Sequence, residues 1–228
     1  MRRAALIVLF LYIGNVRSQP QDNKTWQSVF AVDKKTLGVK GENPYFNLTP
    51  GYELSFKNEK ETDVITVLNE VKRIDDVDTR VVQDREFNAD GRLVELTRDY
   101  YAIDAATNDV YYFGEDVDNY DKNGKISGHE GSWLSGVKGA KFGLMMPANP
   151  KTGQRFYQEQ APGVAMDRVE IASITATVTV PAGKFTRVVH VIETTPLESG
   201  KSEKWYATGV GMVKDDKMEL VRNGQLIR

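Results

Sequence analysis

The chain has 228 residues, a formal net charge of −2, 40% hydrophobic and 10% aromatic residues, and no cysteine. A mildly acidic balance argues against nucleic acid and anionic membrane surfaces as partners. Without cysteine there is no disulfide framework, thiol nucleophile or thiolate metal site, so stability has to come from burial.

Residues 1–18 read as a secretory signal peptide. Arg2 and Arg3 supply the positive start, 4–13 is an apolar stretch, and Val16 and Ser18 are the small residues before a cleavage point at Ser18-Gln19. The apolar stretch is far short of the ~20 residues a spanning helix needs, so no membrane span is expected. Cleavage would leave 210 residues and, with Arg2, Arg3 and Arg17 gone, move the formal charge to −5. The expected address is the bacterial periplasm or the extracellular space. Asn23-Lys24-Thr25 and Asn47-Leu48-Thr49 match the N-glycosylation pattern, which is silent in a bacterial protein.

Residues 19–49 are polar and weakly patterned and read as an extended lead-in, with one strand over 28–32. From Gly51 onward, 50–228 reads as a single antiparallel β domain. Strand-like runs are expected at 52–57, 63–73, 79–88, 93–104, 110–120, 125–133, 154–160, 168–180, 185–195, 201–214 and 218–227. The clearest is 174–180, where Ile174, Ala176, Val178 and Val180 alternate with Thr175, Thr177 and Thr179. No stretch keeps a helical apolar period for three turns. The predicted class is all-β, an antiparallel meander forming a curved half-barrel, barrel or sandwich with few or no major helices.

Residues 133–146 break the pattern. Gly136, Gly139 and Gly143 punctuate Trp133, Phe142, Leu144 and Met145, and Met146-Pro147-Ala148-Asn149-Pro150 follows. Two readings stand: a loop plugging one end of the core, or a mobile lid over an apolar ligand cavity.

The segment 119–130 matches the oxygen-ligand spacing of an EF-hand calcium loop, with Asn119 first and Glu130 last. Its flanks are β-favouring rather than helical, and Asn123-Gly124 is a strong hairpin signal, so a two-residue turn with no bound metal is expected. If 93–104 pairs with 110–120 across 105–109, then Tyr101 faces Phe113, Asp99 faces Glu115 and Arg98 faces Asp116. The turn at Asn123-Gly124 would set His129 against Asp118 and Glu130 against Val117. Asp99, Glu115 and Glu130 then share an aromatic-lined face, where carboxylates repel, raise a pKa or recruit a cation. The alternative is a solvated outer face. No Gly-x-Ser-x-Gly elbow and no phosphate-binding loop is present, and no cofactor is implied.

The chain resembles a family of uncharacterised secreted bacterial proteins marked by Tyr112-Phe113-Gly114-Glu115, His129-Glu130-Gly131-Ser132-Trp133, Met146-Pro147-Ala148-Asn149-Pro150, Tyr157-Gln158-Glu159 and Glu193-Thr194-Thr195-Pro196-Leu197-Glu198. The likeness spans residues 98–214. More distantly, Val180-Pro181-Ala182-Gly183-Lys184-Phe185 and the run 205–213 are similar to the end of LolA/LppX-like half-barrel proteins. That wider group implies a curved antiparallel sheet, and some of its members carry lipids in the concave face. This chain departs from it in having no lipobox cysteine and no clear lid helices.

The expected function is therefore a secreted, non-enzymatic protein holding a hydrophobic, lipid-like small molecule. The candidate cavity or lid residues are Trp133, Phe142, Leu144, Met145, Tyr101 and Phe113. The alternatives are a filled-core interaction module, whose protein partner the sequence does not name, and a hydrolase built on Asp99, Glu115 and Glu130.

Overall fold

A computed structural model describes residues 25–226. The expected leader, its cleavage point and the asparagine of the first glycosylation pattern lie outside the described residues. The described chain is all-β. It forms β1 (Leu37–Gly38), β2 (Tyr52–Lys57), β3 (Glu61–Ile74), β4 (Val77–Asn88), β5 (Leu93–Asp104), β6 (Val110–Tyr120), β7 (Ile126–Gly128) and β8 (Trp133–Leu134). There follow β9 (Lys141–Met146), β10 (Arg155–Tyr157), β11 (Glu159–Gln160), β12 (Arg168–Val180), β13 (Gly183–Thr194), β14 (Ser202–Ala207), β15 (Gly211–Asp215) and β16 (Met218–Gln225). A 3₁₀ turn at Lys34–Thr36 precedes them.

Every strand pairing is antiparallel, in the order β10-β12-β13-β14-β15-β16-β2-β3-β4-β5-β6-β9-β11. The two ends of this path are consecutive in the chain, separated only by Gln158. Residues 155–160 therefore pass between β12 and β9 and bring the sheet to a nearly closed barrel. Where the backbone ladder lapses, side-chain amides bridge it: Gln158 Nε2 donates to the Met145 carbonyl at 3.0 Å and Gln160 Nε2 to that of Phe142 at 2.9 Å. Closure also needs Gly143, because a Cβ there would lie 2.3 Å from the Gln158 carbonyl.

Local chemistry explains the long hairpins. The β3–β4 turn is Asp75-Asp76, both left-handed (φ 49° and 65°), the geometry that matches strand twist in a two-residue connection. The β6–β7 connection differs from the two-residue turn expected at Asn123-Gly124. Gly124 N donates back to the Asp121 carbonyl, and the Asp121 carboxylate accepts from the amides of Asn123 and Lys125. Gly124 takes the left-handed position (φ 74°) of a turn with a bulge. The lead-in supplies β1, paired with the end of β5, rather than a strand at 28–32.

Two apolar clusters hold the sheet. One joins Leu54, Phe56, Val67, Val82, Tyr101, Ile103, Val110, Tyr112 and Trp133 to Val188, Val213, Met218 and Leu220. The other joins Val81, Tyr100, Ala102, Tyr111, Phe113 and Leu144 to Phe156, Ile171, Val191 and Tyr206, with Phe30 and Val32 of the lead-in packed on it. Both faces of β4–β6 are therefore buried. The alternation expected at 174–180 holds only in part: Val180 is buried, whereas Ile174 is 37% exposed. Register shifts at Ser173 and Ala176 re-aim the side chains of β12 there.

Candidate functional site

The register of β2 to β6 places a grid of side chains on one face. Val67, Val82, Asp99, Glu115 and Trp133 lie in one cross-strand row. The next row is Leu54, Ile65, Asp84, Thr97 and Val117, and beyond it come Phe56, Asp63, Glu86, Glu95 and Asn119. Arg80, Tyr101 and Tyr112 form the row on the other side. Leu54, Phe56, Val67 and Val82 of this grid belong to the first core cluster, and the charge of Lys204 on β14 reaches Asp99 across the sheet, so this face is turned into the barrel. It is apolar along β2 and acidic along β4 to β6. Asp84, Glu86, Asp99 and Glu115 keep part of their surface accessible although they point inward.

Asp99 faces Glu115, and Arg98 faces Asp116 on the opposite face, as the strand pairing predicts. One residue further on the register shifts, because Gly114 (φ 126°) forms a bulge in β6. Tyr112, not Phe113, then opposes Tyr101. The two tyrosine rings stack at 4.8 Å, the Tyr112 hydroxyl donates to Asp99 Oδ1 at 2.5 Å, and Trp133 meets Tyr112 edge-on at 5.4 Å. Phe113 is turned to the other cluster, where Phe142 stacks on it at 4.9 Å. Phe113 therefore does not share a face with Tyr101 and Asp99.

Glu130 is also displaced. β7 ends at Gly128, and Glu130 sits exposed in the following turn, 3.5 Å from the Asn119 amide, away from Asp99 and Glu115. His129 Nδ1 lies 3.0 Å from Asp118 Oδ1 and 2.8 Å from the Val117 carbonyl, the contact with Asp118 expected from the hairpin. Strands rather than helices flank this loop, and among the described residues no group of three acids or histidines is placed to hold a metal ion. The segment 133–146 is not a free lid. Its second half is strand β9, paired with β6 on one side and β11 on the other. Leu144 is buried in the second cluster, Phe142 packs against it, and Met145 packs against the first.

Electrostatics sharpen the inner site. Burial pushes the Asp99 carboxyl well above the usual carboxylate range, and Glu115 opposite and Asp84 push the same way against the Tyr112 hydrogen bond. Burial, with Asp99 next, likewise raises the Tyr101 and Tyr112 phenols. On the wall formed by β13 to β15, Lys204 is 2.8 Å from Glu193. Burial opposes its charge, but Glu193 and Asp215 outweigh burial and hold the ammonium in its charged form. That charge reaches Asp99 and partly offsets the acids. Among the polar atoms of the grid, Asp84 Oδ1, an acceptor, and Trp133 Nε1 and Arg80 Nε, both donors, are buried without a hydrogen-bond partner among the described residues.

Sequence reasoning missed Tyr112, Asp84 and Lys204. The glycine within Tyr112-Phe113-Gly114-Glu115 was the available signal for the first, since a glycine inside a strand marks a bulge. Asp84 and Lys204 come from strands whose pairing with this region no local pattern announces. A separate cleft of about 610 Å³ lies beside Lys34, Leu37, Lys40, Arg73 and Asp78, and none of the predicted site residues lines it. Its cations are partly spent, Lys34 on Asp75 at 2.6 Å and Arg73 on Asp78 at 2.9 Å.

The fold and this face define an all-β, nearly closed antiparallel barrel with a half-acidic, aromatic-edged interior. No protein-family model matches the chain, and no curated protein matches it. Two solved structures are similar to it. One is a protein described as exported, with a YmcC-like fold, from Bacteroides fragilis NCTC 9343; it is 16% identical over 80% of this chain and 100% of its own, with a TM-score of 0.39. The other is described as a lipoprotein, from Parabacteroides distasonis ATCC 8503; it is 13% identical over 81% of this chain and 100% of its own, with a TM-score of 0.40.

Proposed function

We propose that the protein is an exported, non-enzymatic binding protein that takes a small, lipid-like amphiphile against the inner face of its barrel. The observation that carries this reading is Trp133. Trp133 is 6% exposed and its Nε1–H has no acceptor among the described residues, in a row with the partly buried Asp99 and Glu115. A buried polar atom without a partner costs about 1–3 kcal/mol, so a bound group or an ordered water belongs beside it. Leader-like residues 1–18 support the exported address, and membership of the secreted bacterial family marked by Tyr112–Glu115 and His129–Trp133 is part of the same proposal. A hydrolase is disfavoured because Glu130 stands apart from the other two acids.

A filled-core interaction module is the second reading. The packing of Phe142 on Phe113 and of Leu144 in the second cluster favours it, because those side chains are spent on the protein itself.

One variant separates the two. Replacing Trp26 and Trp205 by Phe leaves Trp133 as the sole tryptophan of the three. Titration with a neutral apolar probe such as N-phenyl-1-naphthylamine should give saturable binding and a shift in Trp133 emission. Native mass spectrometry of protein from its own host should show a small-molecule adduct. No saturable probe binding together with adduct-free protein would establish the filled-core module instead.

A further inference from the structure

Away from the inner face of the barrel, the lead-in and the tip of the β3–β4 hairpin flank an open cleft of about 610 Å³. That volume falls in the range of small-molecule sites. Its cations are Lys34, Lys35 and Lys40 from the lead-in and Arg73 from β3, and its acids are Asp76 and Asp78. Two of the cations are compensated and fixed in place. Lys34 is 2.6 Å from the Asp75 carboxylate and 3.0 Å from the Asp75 carbonyl, and Ser135 holds that carboxylate in turn at 2.7 Å. Arg73 gives one of its five N–H donors to Asp78 at 2.9 Å and keeps the others free of that pair. Lys35 and Lys40 are exposed and have no side-chain partner among the described residues. The acid left to oppose them is Asp76, exposed in the left-handed turn (φ 65°). The cleft therefore carries surplus positive charge on a chain whose formal net charge is −2.

We propose that this cleft is a second binding site, which takes a small soluble organic anion: a carboxylate, sulfate or phosphate carried on an apolar body. The two uncompensated ammoniums and the spare donors of Arg73 suit the oxyanion. Leu37, Val39 and Ala105 line the same cleft and suit the apolar body. Gly38, between the first two, supplies an independent sign. Its backbone is not left-handed, and a Cβ there would meet nothing within 4 Å. Neither conformation nor packing in the empty protein calls for glycine at this position, whereas a guest lying against the backbone of β1 does. The walls are set before binding, because the Lys34–Asp75–Ser135 chain ties the lead-in to the hairpin tip and β1 is paired with β5. Little ordering then opposes the ligand. A cationic guest meets more free ammonium than free carboxylate.

The test is calorimetric and fluorescence titration of the mature protein with 8-anilinonaphthalene-1-sulfonate, an anion on an aromatic body, beside thermal melts. The native protein should bind it saturably, and added salt should weaken the binding. Lys35→Ala with Lys40→Ala should raise Kd about fivefold. Gly38→Leu, which fills the cleft, should abolish binding. The lysine variant should melt with the wild type, since neither ammonium has a partner to lose, and it decides the matter alone if Gly38→Leu fails to fold. Phenyl phosphate should displace the probe at lower concentration than inorganic phosphate, with phenol the weakest. Unchanged Kd in the folded variants overturns the site, and displacement by phenol as strong as by phenyl phosphate overturns the anion. Co-sedimentation with phosphatidylglycerol vesicles that needs Lys35 and Lys40, without competition by phenyl phosphate, overturns the soluble ligand in favour of a lipid headgroup.

Discussion

Gly114 sets the geometry of the inner site, and Gly114→Ala tests that directly. The residue has φ 126°, a conformation L side chains rarely adopt. An added Cβ would lie 2.2 Å from the Trp133 carbonyl oxygen, 2.9 Å from Leu134 Cα and 3.0 Å from the Trp133 carbonyl carbon. All three are backbone atoms, so no side chain can swing aside. The methyl group has to push β8 off β6, against the pairing of Gly114 with Leu134 and the hydrogen bond from Ser135 N to the Phe113 carbonyl at 2.8 Å. Backbone strain of about 1–3 kcal/mol and overpacking of about 1–3 kcal/mol together predict a loss of about 2–6 kcal/mol. For a domain of this size that lowers Tm by about 5–15 °C. Gly124→Ala is the internal control: its φ is 74°, but open space surrounds it, so only the left-handed penalty of about 1 kcal/mol applies. Calorimetric melts and urea titrations of both variants decide the matter. A Gly114→Ala melting temperature within about 2 °C of the control would refute the close approach and with it the register of Tyr112 against Tyr101.

Four further outcomes are expected. Gly143→Ala should destabilise the barrel seam, since its Cβ would meet the Gln158 carbonyl, and hydrogen exchange should rise in 155–160 before it rises in β3–β5. Phe142→Ala should cost about 3 kcal/mol in urea unfolding and leave neutral-probe binding intact, because its ring serves Phe113 and Tyr111; loss of probe binding at unchanged stability would restore the lid reading. For Asp75, burial opposes the charge, but hydrogen bonds from Lys34 and Ser135 outweigh it and hold the carboxyl below its ordinary 3.8. Its stabilisation is therefore present above the unfolded value and lost as pH falls through the folded one, so Asp75→Asn should flatten the acid limb of a stability profile below pH ~4. Asp99 has the opposite sign, because its carboxyl is raised: its contribution is present in acid and lost as pH climbs above the ordinary carboxylate range. Asp99→Asn should weaken that decline, measured as urea midpoints from pH 4 to 8, and an unchanged slope would refute the buried-pair account.

Alternating Val, Ile, Thr and aromatic residues, bounded by Asn, Asp and Gly turns, were enough to predict an all-β antiparallel sheet. They also predicted that Asp99 faces Glu115, because strand alternation and a short connection are local properties that a few consecutive residues specify. The tertiary structure decided what lies beyond that range. The bulge at Gly114 exchanged Tyr112 for Phe113, since one inserted residue reverses every side chain after it. The turn after β7 carried Glu130 away from the pair. Closure of residues 155–160 between β12 and β9 made a strand of the second half of a segment read as either a plugging loop or a lid, and it depends on a backbone approach at Gly143 that no run of residues announces. Lys204 comes within electrostatic reach of Asp99 because the sheet curls round on itself. Barrel closure joins residues far apart in the chain, and their contact depends on accumulated twist and register rather than on local preference.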